Sequence, residues 1–337
     1  MPDEGHLIRR ITRLIPSFSG SKGLRAGVPV GIGDDAMTIR TSGSKDLVVT
    51  VDAFVEGVHF LAVKHPPESV GYKALARATS DLAAMGARPR YFLLTLAIPK
   101  ERTGHWVDRM LGGMRKAARS LGLRLVGGDT TESSLIAMSV TVIGEIAPGR
   151  AVTRSGAKPG DVLFLSGTLG RAQLGLELVQ CGLARNRRFQ PLLETHLYPR
   201  VRIELGAWLA EHRVPSAMMD ISDGLSTDLA RLCAASRVGA RIYEDRIPRV
   251  EIPLGLRHLG RVGRLNDPLS MALHGGEDYE LLFAVPERML KELEHAPGAT
   301  GLLRIGEIQR GKGVSLVSKT GKTRLLKPLG WDPFRKT

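Results

Sequence analysis

Aromatic residues are scarce, at 5% of 337 residues. Aliphatic side chains must therefore fill most of any core, and no aromatic platform for stacking single-stranded bases accompanies the basic residues. Only two cysteines occur, Cys181 and Cys233, far apart and without CxxC or Cys-His spacing. That excludes a zinc site and a disulfide scaffold; both lie in helix-like apolar contexts and read as buried free thiols. No uncharged run reaches the ~18 residues needed to span a bilayer. The opening MPDEGHLIRRITRLIP mixes charges throughout and has no apolar core, so it does not read as a signal peptide. Together these absences point to a soluble, cytoplasmic chain.

Familiar catalytic signatures are missing too. Gly321-Lys322-Thr323 has Leu316 where the first glycine of a Walker A loop must fall. There is no protein-kinase catalytic loop and no Gly-x-Ser-x-Gly elbow. His59, His65 and His274 do not form a metal-binding pair.

What is present is ordinary in bulk: 43% hydrophobic, 24% charged, with a net charge of +14. The length suits two domains or one large one. The positive charge is dispersed, and its densest cluster, Arg185-Asn-Arg187-Arg188, is too short for a nucleic-acid arm. A solvated basic surface is the reading preferred over a polyanion site, and a specific nucleic-acid partner is not expected.

Six short acidic motifs stand out: Gly31-Ile-Gly33-Asp34-Asp35, Val49-Thr50-Val51-Asp52, Ser80-Asp81, Gly127-Gly128-Asp129-Thr130-Thr131, Asp220-Ile-Ser222-Asp223-Gly224 and Gly275-Gly276-Glu277-Asp278. Most adjoin an apolar run. Such a pattern delivers carboxylates from many elements to one cleft. Their hard oxygens suit Mg²⁺, which shares ligands with substrate phosphates. In the pair Asp34-Asp35, mutual repulsion asks for a cation or water between the groups; one can face a metal while the other braces the loop. Asp52 and Asp129 read as ends of β-rich runs, where turn-forming is the ordinary role. Asp81 falls among small and apolar residues on a helix pattern, where a lone carboxylate is costly unless paired. Asp220, Ser222 and Asp223 can each cap the helix that follows, and that helix start can also bind phosphate. Trp331 serves either as an apolar tail anchor or as a plate for a flat or cationic ligand.

Strand and helix patterns alternate. Strands are predicted at 47–51, 91–98, 123–126, 135–146, 161–165, 217–219, 238–243, 279–285, 302–308 and 314–317; helices at 68–85, 106–121, 169–182, 201–212 and 224–235. The segment 147–151 looks like a linker. We therefore expect two α+β lobes, 1–149 and 150–337, with a cleft between them.

The ordered set GIGDDA (31–36), VDAFVEGVHF (51–60), GYKALARATSDLAAMGARP (71–89), GGDTT (127–131), RSGAKPGD (154–161), GTLG (167–170), DISDGL (220–225), HGGEDYELLF (274–283) and WDPF (331–334) resembles the thiamine-monophosphate kinases. These belong to the aminoimidazole-ribonucleotide-synthetase-like ATP-binding superfamily. The resemblance spans nearly the whole chain. It implies ATP-dependent conversion of thiamine monophosphate to thiamine diphosphate, an N-terminal lobe that pairs in a homodimer, and a C-terminal lobe that completes the site. Carried onto this sequence, it implies metal ligands at Asp34, Thr50, Val51, Asp52, Asp81, Asp129, Asp220 and Asp223. It places ATP contacts at Gly128, Asp129, Arg154 and Ser222, and acceptor contacts at His59, Glu277 and Trp331. Asp52, Asp81, Asp129 and Arg154 are the expected catalytic groups. Val51 departs from the usual Thr or Ser, so any metal contact there must use its carbonyl. Residues 181–197 match no motif.

The chemistry agrees with the residue types. The acceptor is a phosphate oxygen, largely ionised near neutrality because its second pKa is ~6. It needs no protein nucleophile and little base; positioning and charge neutralisation are the task. Direct transfer without a phosphoenzyme follows. The rival readings are another enzyme of the superfamily, such as selenophosphate synthetase, which usually wants a reactive residue near the N-terminal glycine loop, or a basic nucleic-acid-binding protein.

Overall fold

A computed structural model describes residues 3–15, 27–253, 256 and 267–334. Two β-sheets organise the chain. The first has strand order β1-β2-β5-β3-β4, with β1 at Met37–Ile39, β2 at Asp46–Val55, β3 at Arg88–Ile98, β4 at Arg124–Glu132 and β5 at Ala137–Ile146. Pairing is antiparallel except between β3 and β4. Alternation in β5 is regular: every second residue from Met138 is buried, and the others are half-buried. Such a period of two marks a sheet with one covered face. The cover is α2 (Pro67–Ala84) and α3 (His105–Leu121).

These helices touch backbone to backbone. A Cβ on Gly71 would lie 1.9 Å from the Met110 carbonyl oxygen, and one on Gly113 would lie 1.8 Å from that of Glu68. Only glycine at both places permits the approach. Small residues elsewhere on α2, such as Ala74, Ala76 and Ala78, are fully buried, so α2 lies between the first sheet and the second lobe.

The second sheet has order β12-β11-β8-β10-β6-β9-β7, the strands being β6 (Val162–Leu165), β7 (Ala217–Asp220), β8 (Gly239–Tyr243), β9 (Leu281–Val285), β10 (Leu303–Gln309), β11 (Gly313–Val317) and β12 (Thr323–Leu326). Unlike β5, β9 is buried at every residue, because both faces of the sheet are covered there. One apolar cluster joins Phe283, Val285 and Met218 to Leu82, Phe92 and Val140 of the first lobe. The opposite face packs Leu225, Leu229 and Leu232 of α7 (Leu225–Ser236) against Leu282 and Ala284. A third cluster links α4 (Arg171–Gln180) with α5 (Gln190–Leu197). The α+β, two-lobed architecture expected from the sequence is the one observed. Helices α1 (Glu4–Leu14), α6 (Ile203–Glu211), α8 (Pro268–His274) and α9 (Leu290–Leu293) complete the described set. No described helix is long and apolar enough to cross a membrane.

Several local expectations need correction. Asp52 and Asp129 do not end strands; β2 continues to Val55 and β4 to Glu132. Ladder pairing explains this, since Asp52 faces Val140 and Asp129 faces Thr95. The glycines of 127–128 do not break β4 because Gly128 lies against β3, where a Cβ would fall 2.0 Å from the Leu94 carbonyl oxygen. None of Asp220, Ser222 or Asp223 caps α7. Its N-cap is Gly224 at φ 110, and Asp228 instead accepts the amides of Asp223 and Gly224 at 3.0 and 2.9 Å. Cys233 is buried as expected, but Cys181 is exposed at the C-cap of α4, where the chain leaves the helix.

Candidate active site

Three carboxylates from three separated segments meet at one point. Oxygens of Asp35, Asp81 and Asp220 all lie within 4.8 Å of one another. Asp35 comes from the loop before β1, Asp81 from α2, and Asp220 from the last residue of β7. Each is held by a neighbour. Thr50 donates its hydroxyl to Asp81 at 2.6 Å, and Ser80 donates to Asp220 at 2.5 Å. Arg154 forks onto one oxygen of Asp35, at 2.7 and 3.1 Å. The other Asp35 oxygen, Oδ2, is buried with no hydrogen-bond partner.

Like charges brought together out of water resist ionisation. Burial and the Asp35 charge push Asp220 up to about 7. Burial, then Asp220, Asp52 and Asp35, raises Asp81 well above the usual carboxylate range. Burial and Asp35 push Asp34 up to about 6. A divalent cation with oxygen ligands would relieve both the repulsion and the orphaned Asp35 oxygen. The donor set therefore fits Mg²⁺.

The remaining predicted site residues are placed as follows. Asp34 sits beside the cluster but accepts the Arg154 amide at 3.1 Å and that of Asp35 at 3.1 Å. Thr50 and Asp52 share the covered side of β2, and Asp52 is paired with Arg77 at 2.9 Å. Val51 points its side chain to the opposite side and is 63% exposed. The Asp223 carboxylate is gripped by Arg231, while its carbonyl accepts the Trp331 amide at 2.9 Å. Ser222 offers its carbonyl to the Glu277 amide at 2.8 Å. Trp331 itself is half-exposed. The tail is seated on the 223–227 turn, where Gly330 donates to Thr227 at 3.0 Å and a Cβ on it would meet the Asp223 carbonyl oxygen at 2.1 Å. His59 accepts the Val55 amide on Nδ1 at 3.0 Å. Burial and then Arg77 hold its pKa down, to about 4, so it is neutral.

Gly128 and Asp129 are not brought to the cluster. Asp129 is in register with Thr95, Ser139 and Ala53 across β4, β3, β5 and β2. That is three strand spacings from β2, about 14 Å. Ala53 and Thr95 are exposed, unlike their neighbours Phe54 and Leu94, so this row lies on the open face of the sheet, away from Thr50. Sequence reasoning missed Asp35 as the member of the acidic pair that joins the cluster; residue type could not separate it from Asp34. It also missed Lys73, Arg77, Asp228 and Arg231, the cations and carboxylate that hold the predicted groups.

Residues 33–146 match the family described as AIR synthase related protein, N-terminal domain, and residues 158–319 its C-terminal domain. The chain is 37% identical to the thiamine-monophosphate kinase of Salmonella typhimurium, over 85% of each chain. It is 35% identical to that of Aquifex aeolicus, over 90% of this chain and 92% of the other. This chain belongs to the thiamine-monophosphate kinase family. A solved structure of a family member, AaThiL complexed with AMPPCP and TMP, superposes with a TM-score of 0.81 at 33% identity, covering 98% of this chain and 97% of that one.

Proposed function

We propose that the protein transfers the γ-phosphoryl group of ATP to thiamine monophosphate, giving ADP and thiamine diphosphate. The observation that carries this reading is the meeting of Asp35, Asp81 and Asp220 around an orphaned carboxylate oxygen, in a chain over a third identical to such kinases. Asp35, Asp81 and Asp220 would hold Mg²⁺, with Asp34, Thr50, the Val51 carbonyl, Asp52 and Asp223 as the neighbouring oxygens. Bound there, the metal supplies charge neutralisation for two polyanions that must approach in line. Arg154, forked onto Asp35, brings a fixed positive charge to the same place. Thr50 and Ser80 fix the orientation of the carboxylates they touch. No described nucleophile is needed, because the acceptor oxygen is already ionised. Ser222, beside the start of α7, supports a phosphate contact. His59, Glu277 and Trp331 are the acceptor contacts, with Trp331 free to cover the cationic ring.

The lobes divide at about residue 150, and the first pairs with a second copy. The open sheet face and the wholly exposed edge strand β4, including Leu125 at 58% and Val126 at 56% exposed, support that pairing. It would also explain how Gly128 and Asp129, remote from their own cluster, reach a nucleotide: they serve the partner's site. The protein works in the cytoplasm. The direct test is incubation with Mg-ATP and thiamine monophosphate, followed by chromatography. Thiamine diphosphate should form, and free thiamine should not be phosphorylated. Failure to form it with an otherwise folded protein would refute the reading.

A further inference from the structure

Lys73 is the least expected side chain in the molecule. It lies on α2 and is 2% exposed, yet carries an ammonium group. Its Nζ donates to Glu277 Oε2 at 2.6 Å. His196 Nδ1 reaches the same oxygen at 3.4 Å and is itself 1% exposed. Behind it, His196 Nε2 meets His65 Nε2 at 3.1 Å, and His65 Nδ1 accepts the Leu61 amide at 3.1 Å. Lys73 Nζ also reaches His196 Nδ1 at 3.2 Å, and an ammonium can only donate, so this nitrogen accepts from the lysine; the direction of the His196–His65 contact follows the tautomer. Both rings are then neutral, which agrees with burial holding their pKa values down.

The backbone of Glu277 is fixed as firmly. It adopts φ 66, a left-handed conformation rare for a non-glycine residue. Its amide bonds Ser222, and Gly276 before it leaves no room for a Cβ, which would fall 2.4 Å from the Ser222 carbonyl oxygen. All described contacts to the carboxylate fall on Oε2. Oε1 is left for a ligand, and Glu277 retains partial exposure, 24%, to meet one.

We propose that Lys73 and His196 are positioning residues that lock Glu277 ionised and aimed, so that its second oxygen accepts the amino edge of the acceptor's pyrimidine and sets acceptor affinity. The proposal rests on the kinase reading above. It assigns a use to a buried cation that phosphoryl transfer does not require, since Lys73 is spent on Glu277 and not on phosphate. Burial opposes the Glu277 charge; Lys73 outweighs it and holds the carboxyl far below its usual range.

The test is steady-state kinetics of Lys73→Met, Glu277→Ala, the double variant, and the pair His196→Asn and His196→Leu, with thermal melts as a check on folding. Lys73→Met should raise KM for thiamine monophosphate about tenfold or more, with KM for ATP and kcat within about threefold. In the Glu277→Ala background it should add nothing further to that KM. His196→Asn keeps a polar group near Nδ1 that can accept from Lys73 and should retain the wild-type KM, whereas His196→Leu should raise it. If Lys73→Met does not fold, the His196 pair decides alone. An unchanged acceptor KM, an equal rise in both KM values, or full additivity with Glu277→Ala would overturn the proposal while wild-type turnover stands. A wild type that makes no thiamine diphosphate would overturn the kinase reading, and the proposal with it.

Discussion

Two Gly-Gly-acid motifs, one in each lobe, meet opposite fates. Gly127-Gly128-Asp129 lies in the edge strand β4, exposed at every residue, and among the described residues the Asp129 carboxylate holds only the next amide, Thr130, at 2.9 Å. Gly275-Gly276-Glu277 lies in an irregular loop pressed against the 221–223 segment, and its carboxylate is clamped by a buried lysine. In the first motif the glycine clears a neighbouring strand; in the second it clears a turn and lets the next residue adopt a positive φ. The same letters thus produce an acid with no clamp from its own chain and an acid with one oxygen clamped within the chain and the other left for a ligand. The first sheet has an open face at β4, whereas the second is covered on both faces around β7 and β9, and that difference decides which fate applies.

The largest effect should come from the converged carboxylates. Asp220→Asn or Asp81→Asn should lower kcat by roughly a hundredfold or more at saturating substrates; near-wild-type turnover would separate the cluster from catalysis. Next comes the exposed motif. Asp52→Ala and Asp129→Ala should each be inactive alone. Mixed in equal amounts and allowed to exchange subunits, they should recover roughly a quarter of wild-type activity, because half the dimers are mixed and each mixed dimer has one intact site of two. No recovery would place both residues in one protomer's site and erase the contrast drawn here.

A smaller effect concerns stability. Asp34 and Asp220 are raised in the folded state, to about 6 and about 7, above their ordinary value of 3.8. The folded state therefore binds more protons than the unfolded one, and metal-free protein should lose stability as pH rises from about 4 to about 7. Mg²⁺ should reverse this: at a hundred times its Kd it adds about 2.7 kcal/mol, a Tm gain of several degrees, and the gain should be larger at pH 8 than at pH 5. Scanning calorimetry with EDTA or Mg²⁺ measures it. The smallest effect is Cys181→Ser. This exposed thiol at a helix end should change stability by no more than about 0.5 kcal/mol, as urea titration would show.

Much of the fold was legible because its signals are local. The run 135–146, rich in Val, Ile and Thr, predicted β5, and the apolar spacing from Glu68 ended by Gly86 predicted α2. The resemblance also pointed to acidic residues that do converge, Asp81 and Asp220 among them. What escaped depends on contacts between distant segments. Asp35 and Asp34 are adjacent and chemically identical; only the approach of Arg154 from the second lobe separates their roles. His196 lies in the stretch 181–197 that matched no motif, and it matters only because α5 folds back behind Glu277. Nothing in the sequence marks Lys73 apart from the rest of its helix; its burial comes from contact with the second lobe.

Manganese binding followed by electron paramagnetic resonance tests the central claim most directly, because Mn²⁺ takes the same oxygen ligands as Mg²⁺. Wild-type protein should bind Mn²⁺ and lose that binding in an Asp81→Asn/Asp220→Asn double variant that still melts cooperatively. Equal Mn²⁺ retention by both proteins would contradict the account.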